Sequence, residues 1–257
     1  MDLDRFQCYL LLWKLKMILL PLLLRQRSSL LLRQQREQLT KKFNFSSFCW
    51  TGPRSLNEIL KKELLVGKTS NEISNIWKQY HDEKESILGM VYNGRDGQII
   101  ARRGEESPFM IHPTFRSSNF KETNNTSADE SGGDGYFMLV SQYQKEPQPN
   151  FMLAYLEDYK TDPSRASPLL TCTIFNDLSG ISEDKNESDL DLSLIRVENL
   201  NKGISDKEAM KVITNMLTLY HDDSSYQTTA YVFNHRPKDF DLDDYISQQN
   251  QHWKTKK

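Results

Sequence analysis

From Ser86 onward the apolar residues of this chain fall into short runs separated by turn-formers, and that punctuation constrains the fold more than any other feature. The runs are Ile87–Tyr92, Phe109–His112, Tyr136–Tyr143, Phe151–Tyr159, Leu169–Phe175 and Leu190–Val197, bounded by Gly, Pro, Asn and Asp. Their length and their β-branched and aromatic content predict strands. A last strand is expected at Tyr226–Phe233. Leu190, Leu192 and Leu194 alternate before Ile195 and Val197 take the opposite parity, which predicts a bulge. Tyr136–Tyr143 and Phe151–Leu156 are continuously apolar. Either both faces of these strands are covered internally, or one face waits for a partner.

Three capping boxes frame the helices. In Ser55-x-x-Glu58 the hydroxyl can accept from the third helical N–H while the carboxylate reaches back. Leu56, Ile59, Leu60 and Leu64 then form one stripe, predicting a helix over Ser55–Val66 with Gly67 as its stop. Thr69-x-x-Glu72 opens a second helix carrying Ile73, Ile76, Trp77 and Tyr80, so the two make a helical hairpin. Ser205-x-x-Glu208 opens a third over Asp206–Tyr220, and Pro237 is expected to begin a terminal helix through Asp244 and Ile246. Strands in succession with short links predict a single α+β domain, a mainly antiparallel sheet with the N-terminal hairpin and further helices packed on it. Lys121–Gly135 and Gly180–Asp189 are acidic and Gly/Ser/Asn-rich, and are expected to be flexible loops.

Charge is distributed unevenly. Residues 1–50 hold nine of the 33 Lys and Arg but three of the 35 Asp and Glu, so the body carries the acidic excess. Phosphate-backbone binding needs concentrated basic residues, which makes the body a poor nucleic-acid binder. Lys14, Lys16 and Pro21 interrupt the apolar run of the leader, arguing against a stable membrane span. No Ala precedes Ala101, so a small-residue secretory cleavage site is missing. The Arg, Ser and Leu content of Met17–Cys49 predicts a mitochondrial presequence over residues 1–50, with the mature chain starting between Gln38 and Arg54.

The residues that could carry chemistry do not assemble into a motif. His81, His112, His221, His235 and His252 lack zinc-site spacing, and His81 and His221 are expected at helix ends as imidazolium favoured by the dipole. Gly94-Arg95-Asp96-Gly97 reads as a hairpin turn, and neither it nor Ser131–Gly135 matches a phosphate loop. Cys8, Cys49 and Cys172 share no metal spacing, and Cys172 is expected as a buried strand residue. Asn234 and His235 are expected to tie a corner, where a strand gives way to a helix, by side-chain-to-backbone hydrogen bonds. No cofactor is called for.

Four segments in register resemble a known family. They are the two helices from Ser55 to His81, with Asn71-Glu72-Ile73 and Trp77 to His81; Pro108–Pro113; Leu156-Glu157-Asp158-Tyr159-Lys160; and Phe233-Asn234-His235-Arg236-Pro237 with Phe240. Together they resemble the assembly factor 1 family, the chaperones of the β subunit of mitochondrial ATP synthase, over about Ser55 to Ile246. The acidic loop near Asn124–Gly135, the insertion around Ser182–Ser188 and the leader depart from the pattern. The resemblance implies a non-enzymatic protein of the mitochondrial matrix, with residues 51–257 as the chaperone domain. Such a protein binds free β subunits until the α subunit replaces it. Interfaces of that kind centre on aromatic anchors, and Phe109, Tyr136, Phe137, Phe151 and Tyr155 are the candidates, each equally readable as core. The alternatives are a matrix enzyme pairing His221 or His235 with a carboxylate, and an organellar RNA-associated protein.

Overall fold

The computed structural model describes residues 52–115, 136–162, 165–178, 181, 190–200 and 203–255. The expected leader and the loop at 121–135 lie outside the described residues, as does all of 180–189 but Ile181. Six strands form one sheet: β1 (Ile87–Tyr92), β2 (Phe109–Phe115), β3 (Tyr136–Gln144), β4 (Asn150–Tyr155), β5 (Leu170–Phe175) and β6 (Ser193–Asn199). Their order is β1-β6-β5-β4-β3-β2, every neighbour antiparallel. β2 to β6 therefore run as a meander, while β1 sits beyond β6. The two strands that α3 (Gly94–Glu106) joins are the two edges, so α3 spans the sheet.

Strand alternation separates two faces. One face carries Phe151, Leu153, Cys172, Ile174, Ile195 and Val197, and is covered by α3 and by α5 (Asp206–His221) through Ile100, Val212, Ile213, Met216 and Tyr220. The opposite face of β5 and β6 presents Phe175 and Leu194 to a smaller cluster formed with α1 (Leu56–Ile59) and α2 (Ser70–Asp82). There Trp77 Nε1 donates to the Ile195 carbonyl at 3.1 Å. Residues Asn150 to Ala154 of β4 and all of β5 are buried, so the continuous apolar runs on these strands are covered on both faces.

The antiparallel α+β architecture is as the sequence predicts, and so are the capping boxes at Ser55, Thr69 and Ser205. Several elements differ. The first helix stops at Ile59, Leu60 turns extended, and a 3₁₀ turn follows at Lys62–Leu64. The break swings Leu65 into the smaller cluster and leaves Leu64 69% exposed. Burying one Leu is worth about 1.5–3 kcal/mol, more than the few tenths per residue that a continued helix offers. The tight turn at Gly67 stands, with φ +74°.

The expected turn at Gly94–Gly97 is instead the first turn of α3, capped by Asn93 Oδ1 accepting from Asp96 N at 2.7 Å. Its buried face is Gly94, Gly97, Ile100, Arg103 and Gly104, mostly residues invisible to an apolar count. A Cβ at Gly97 would overlap the side chain of Ser193 on β6. β4 ends at Tyr155, where α4 (Leu156–Thr161) begins. β6 starts at Ser193, so Leu190 and Leu192 precede the strand and their parity change marks its entry rather than a bulge.

The segment expected as a last strand is helical: α6 (Asp223–Ser225), a π turn (Tyr226–Ala230) and α7 (Tyr231–His235). Tyr226, Ala230 and Phe233 are buried at i, i+4 and i+7, a helical period that outweighs the aromatic, Thr-rich composition. Pro237 lies in a turn, and α8 (Leu242–Thr255) starts after Asp241, whose Oδ1 accepts from Asp243 N and Asp244 N. Among the described residues no helix is long and apolar enough to cross a membrane.

Candidate partner-binding surface

The structure separates the five candidate anchors. Phe137 and Tyr155 lie on the same face of β3 and β4, half-buried, with ring centroids 5.5 Å apart. Tyr155 Oη donates to the Gly203 carbonyl at 3.4 Å. Tyr136 opens β3 opposite Phe115 in register. Phe109 is half-buried at the other end of β2 and on the opposite face. Phe151 is fully buried, with Tyr143 at 5.0 Å and Tyr220 at 4.9 Å, so it is core and not a surface anchor. At the far edge of the sheet Leu88, Met90 and Tyr92 of β1 are a second half-buried apolar row, mostly aliphatic and so outside a set chosen for aromatic anchors.

Polar side chains inside the domain serve packing. Arg103 reaches from α3 to the C-terminus of α5, where Nη1 donates to the carbonyls of Tyr220 at 2.9 Å and His221 at 2.6 Å. Its Nη2 pairs with Asp223, and the guanidinium lies 4.7 Å from the Tyr226 ring centroid. A helix end leaves carbonyls without intrahelical partners, and this cation satisfies two of them. Tyr226 Oη donates to Glu106 Oε2 at 2.7 Å and Ser107 Oγ lies 2.9 Å away. Burial pushes the Tyr226 phenol up to about 12. This network is not legible in the sequence, because Arg103 and Tyr226 sit in helices that the apolar pattern does not mark.

Four of the histidines, His81, His112, His221 and His235, have defined partners. His235 Nε2 lies 3.1 Å from the Glu106 carbonyl and 3.3 Å from Ser107 Oγ, so it carries the proton there, and the ring stacks on Tyr231 at 4.3 Å. Asn234 Nδ2 donates to the carbonyls of Phe109 and Ala230, and its Oδ1 accepts from Phe109 N. The corner is tied as expected, although it is a helix end rather than the end of a strand. Ser107 is fully buried, which removes it as a nucleophile for His235.

His81 is buried and not an exposed imidazolium: Nδ1 donates to the Trp77 carbonyl at 2.7 Å, and Nε2 accepts from Arg196 at 3.2 Å. Desolvation lowers its pKa. His112, buried beside Ser141 Oγ at 2.9 Å, is pushed down to about 3 by burial. His221 Nε2 meets Asp96 Oδ1 at 3.0 Å across α5 and α3, an ion pair at the α5 terminus when protonated. Burial raises the Cys172 thiol and keeps it protonated in the middle of β5. Among the described residues no three His, Cys, Asp or Glu converge on one point.

The class defined by these features is an α+β domain whose buried polar groups lock helices to an antiparallel sheet, with half-buried apolar rows at the sheet margins. A family model described as ATP11 protein matches residues 28–246. The chain belongs to that family, the ATP synthase assembly factor 1 family. The match begins ahead of Ser55, within the basic leader. A comparison with curated proteins returned no match.

Proposed function

We propose that this chain is a chaperone of the mitochondrial matrix that binds the free β subunit of the ATP synthase catalytic head and is not an enzyme. The observation that carries the reading is membership of an ATP synthase assembly-factor family over residues 28–246. An unassembled subunit exposes an interface resembling half a domain core, which aggregates unless covered. A protein that covers it needs a matching apolar surface and a competitor for release. The α subunit is that competitor, because it occupies the same surface in the assembled head. Phe137 and Tyr155, with Phe109 and Tyr136, are the proposed contacts, and Phe151 is withdrawn from the set because it is fully buried. Residues 1–50 are the proposed presequence and 51–257 the chaperone domain.

The test mixes the purified chain with isolated β or isolated α in a buffer free of ATP and magnesium. Isolated β should stay soluble and co-elute with the chain, and added α should displace the chain from it. Capture of α in place of β, or protection of β only while ATP is hydrolysed, would sink the proposal.

A further inference from the structure

The two edges of the sheet are treated differently. In β2 the register with β3, and the Tyr143 N to Pro108 O bond at 2.8 Å, direct the backbone groups of Phe109, Ile111 and Pro113 away from the sheet. Each position is blocked. Asn234 bonds both the N–H and the carbonyl of Phe109, Tyr245 Oη donates to the Ile111 carbonyl at 2.9 Å, and Pro113 has no N–H. An edge closed in this way cannot template another strand.

β1 has no such closure. Asn199 N donates to the Ser86 carbonyl at 2.8 Å, which fixes the ladder: Leu88, Met90 and Tyr92 exchange bonds with β6. Ile87, Gly89 and Val91 therefore direct N–H and C=O outward. Among the described residues none meets those groups from outside the sheet. The strand reads Ile-Leu-Gly-Met-Val-Tyr, with no proline and no charge, and is half-buried along its whole length. Folded proteins seldom leave an apolar edge unguarded, because it recruits another strand.

We propose that the outer edge of β1 takes an extended, apolar segment of the unassembled ATP synthase subunit as a seventh strand of the sheet. The inference rests on the chaperone reading above and deepens it. Main-chain groups two residues apart, about 7 Å, are matched by another extended backbone and by little else. The side chains beside the edge on one face are Leu88, Met90 and Tyr92, partly buried against the large core, which call for apolar residues at alternate positions of the incoming segment. Charge marks one end of the edge. Asp82, Glu83 and Glu85 are exposed before β1, while Lys84 is drawn to the Tyr80 ring at 4.2 Å; after β1 Arg95 is offset by Asp191, whose Oδ1 accepts from Arg95 N, and by Asp96. The fitting segment is basic at the end beside Glu83 and Glu85.

Hydrogen exchange read residue by residue, on the full chain alone and with isolated β subunit, tests the inference. On binding, the amides of Ile87, Gly89 and Val91 should slow at least tenfold, while those of Leu88, Met90 and Tyr92, already paired to β6, change little. Val91→Pro removes an outward N–H and leaves the β6 ladder intact, with some loss of Val91 packing on the smaller cluster, and should weaken β binding at least tenfold with Tm lowered by only a few degrees. Ile87→Lys, which guards the edge without touching the β6 ladder, should do the same. A complex that forms with unchanged exchange at the three outward amides overturns the edge inference and leaves the chaperone reading standing. Protection that appears without β and grows with protein concentration overturns it in favour of a second copy as the occupant. Failure to bind β at all overturns both.

Discussion

His112 stands in the middle of β2 with its ring in the core, and burial holds it neutral down to about pH 3. The unfolded chain binds a proton at this residue near pH 6.5, so below that value the unfolded state gains what the folded state refuses. Stability is therefore intact above pH 6.5 and falls as pH drops toward 3, by about 1.4 kcal/mol per pH unit for this one residue. His112→Gln should reduce the slope between pH 6.5 and 5, where carboxylates contribute little, and leave the part due to His81, whose pKa burial also lowers; urea unfolding at a series of pH values measures it, and an unchanged slope would remove His112 as a cause. Histidine roles were only partly legible in the sequence. The Asn234–His235 corner could be read because polar residues beside Pro237 had to find backbone partners. His81 could not, since its burial is a tertiary effect and the Arg196 that donates to its Nε2 lies 115 residues away in the chain.

At the level of elements, legibility followed the source of the signal. Capping boxes are local, and all three marked true helix starts. The half-buried and buried strands were found from apolar runs, because a sheet covered on both faces leaves little polar alternation. α3 escaped because its buried side is built from glycines, and α6 to α7 escaped because Tyr, Thr and Val there read as strand-formers. The glycine face makes its own prediction. In an open helix Gly→Ala gains about 1 kcal/mol from backbone entropy. At Gly97 the added methyl overlaps the Ser193 side chain, whose Oγ is itself bonded to Asn176 Oδ1 at 2.6 Å and cannot swing freely. Overpacking of that kind costs about 1–3 kcal/mol, so Gly97→Ala should destabilise despite the propensity gain. Gln98→Ala, on the exposed side of the same turn, should be neutral or slightly stabilising. Equal effects at the two positions in a denaturant titration would mean that α3 does not press on β6 as described.

Across the whole molecule the sheet acts as a shared wall. Ile195 sends its side chain into the large core under α5 while its carbonyl accepts the Trp77 indole N–H from the other side, and Ile174 and Phe175 divide the same way on β5. The antiparallel α+β plan was legible from the order of runs, but this coupling was not, since nothing local pairs Trp77 with a strand 118 residues later. It follows that the two clusters unfold together. Trp77 is fully buried, with His81 at 4.2 Å and Phe175 at 5.9 Å between ring centroids, and truncation to Ala should cost about 3–5 kcal/mol. If the wall is shared, that loss reaches the opposite face. Native-state hydrogen exchange should then report the protection of the slowest α5 amides, Val212 to Leu217, reduced by the same free energy as the global stability. If the α1–α2 cluster is instead an independent unit, Trp77→Ala will melt it alone and leave the α5 amides at their parent values. The shared wall also bears on the open edge, because β1 is bonded to β6 and packed under α2. A rigid β1 presents its outward N–H and C=O groups already in strand geometry, so an incoming segment orders only itself. An α2 cluster that loosened separately would take β1 with it.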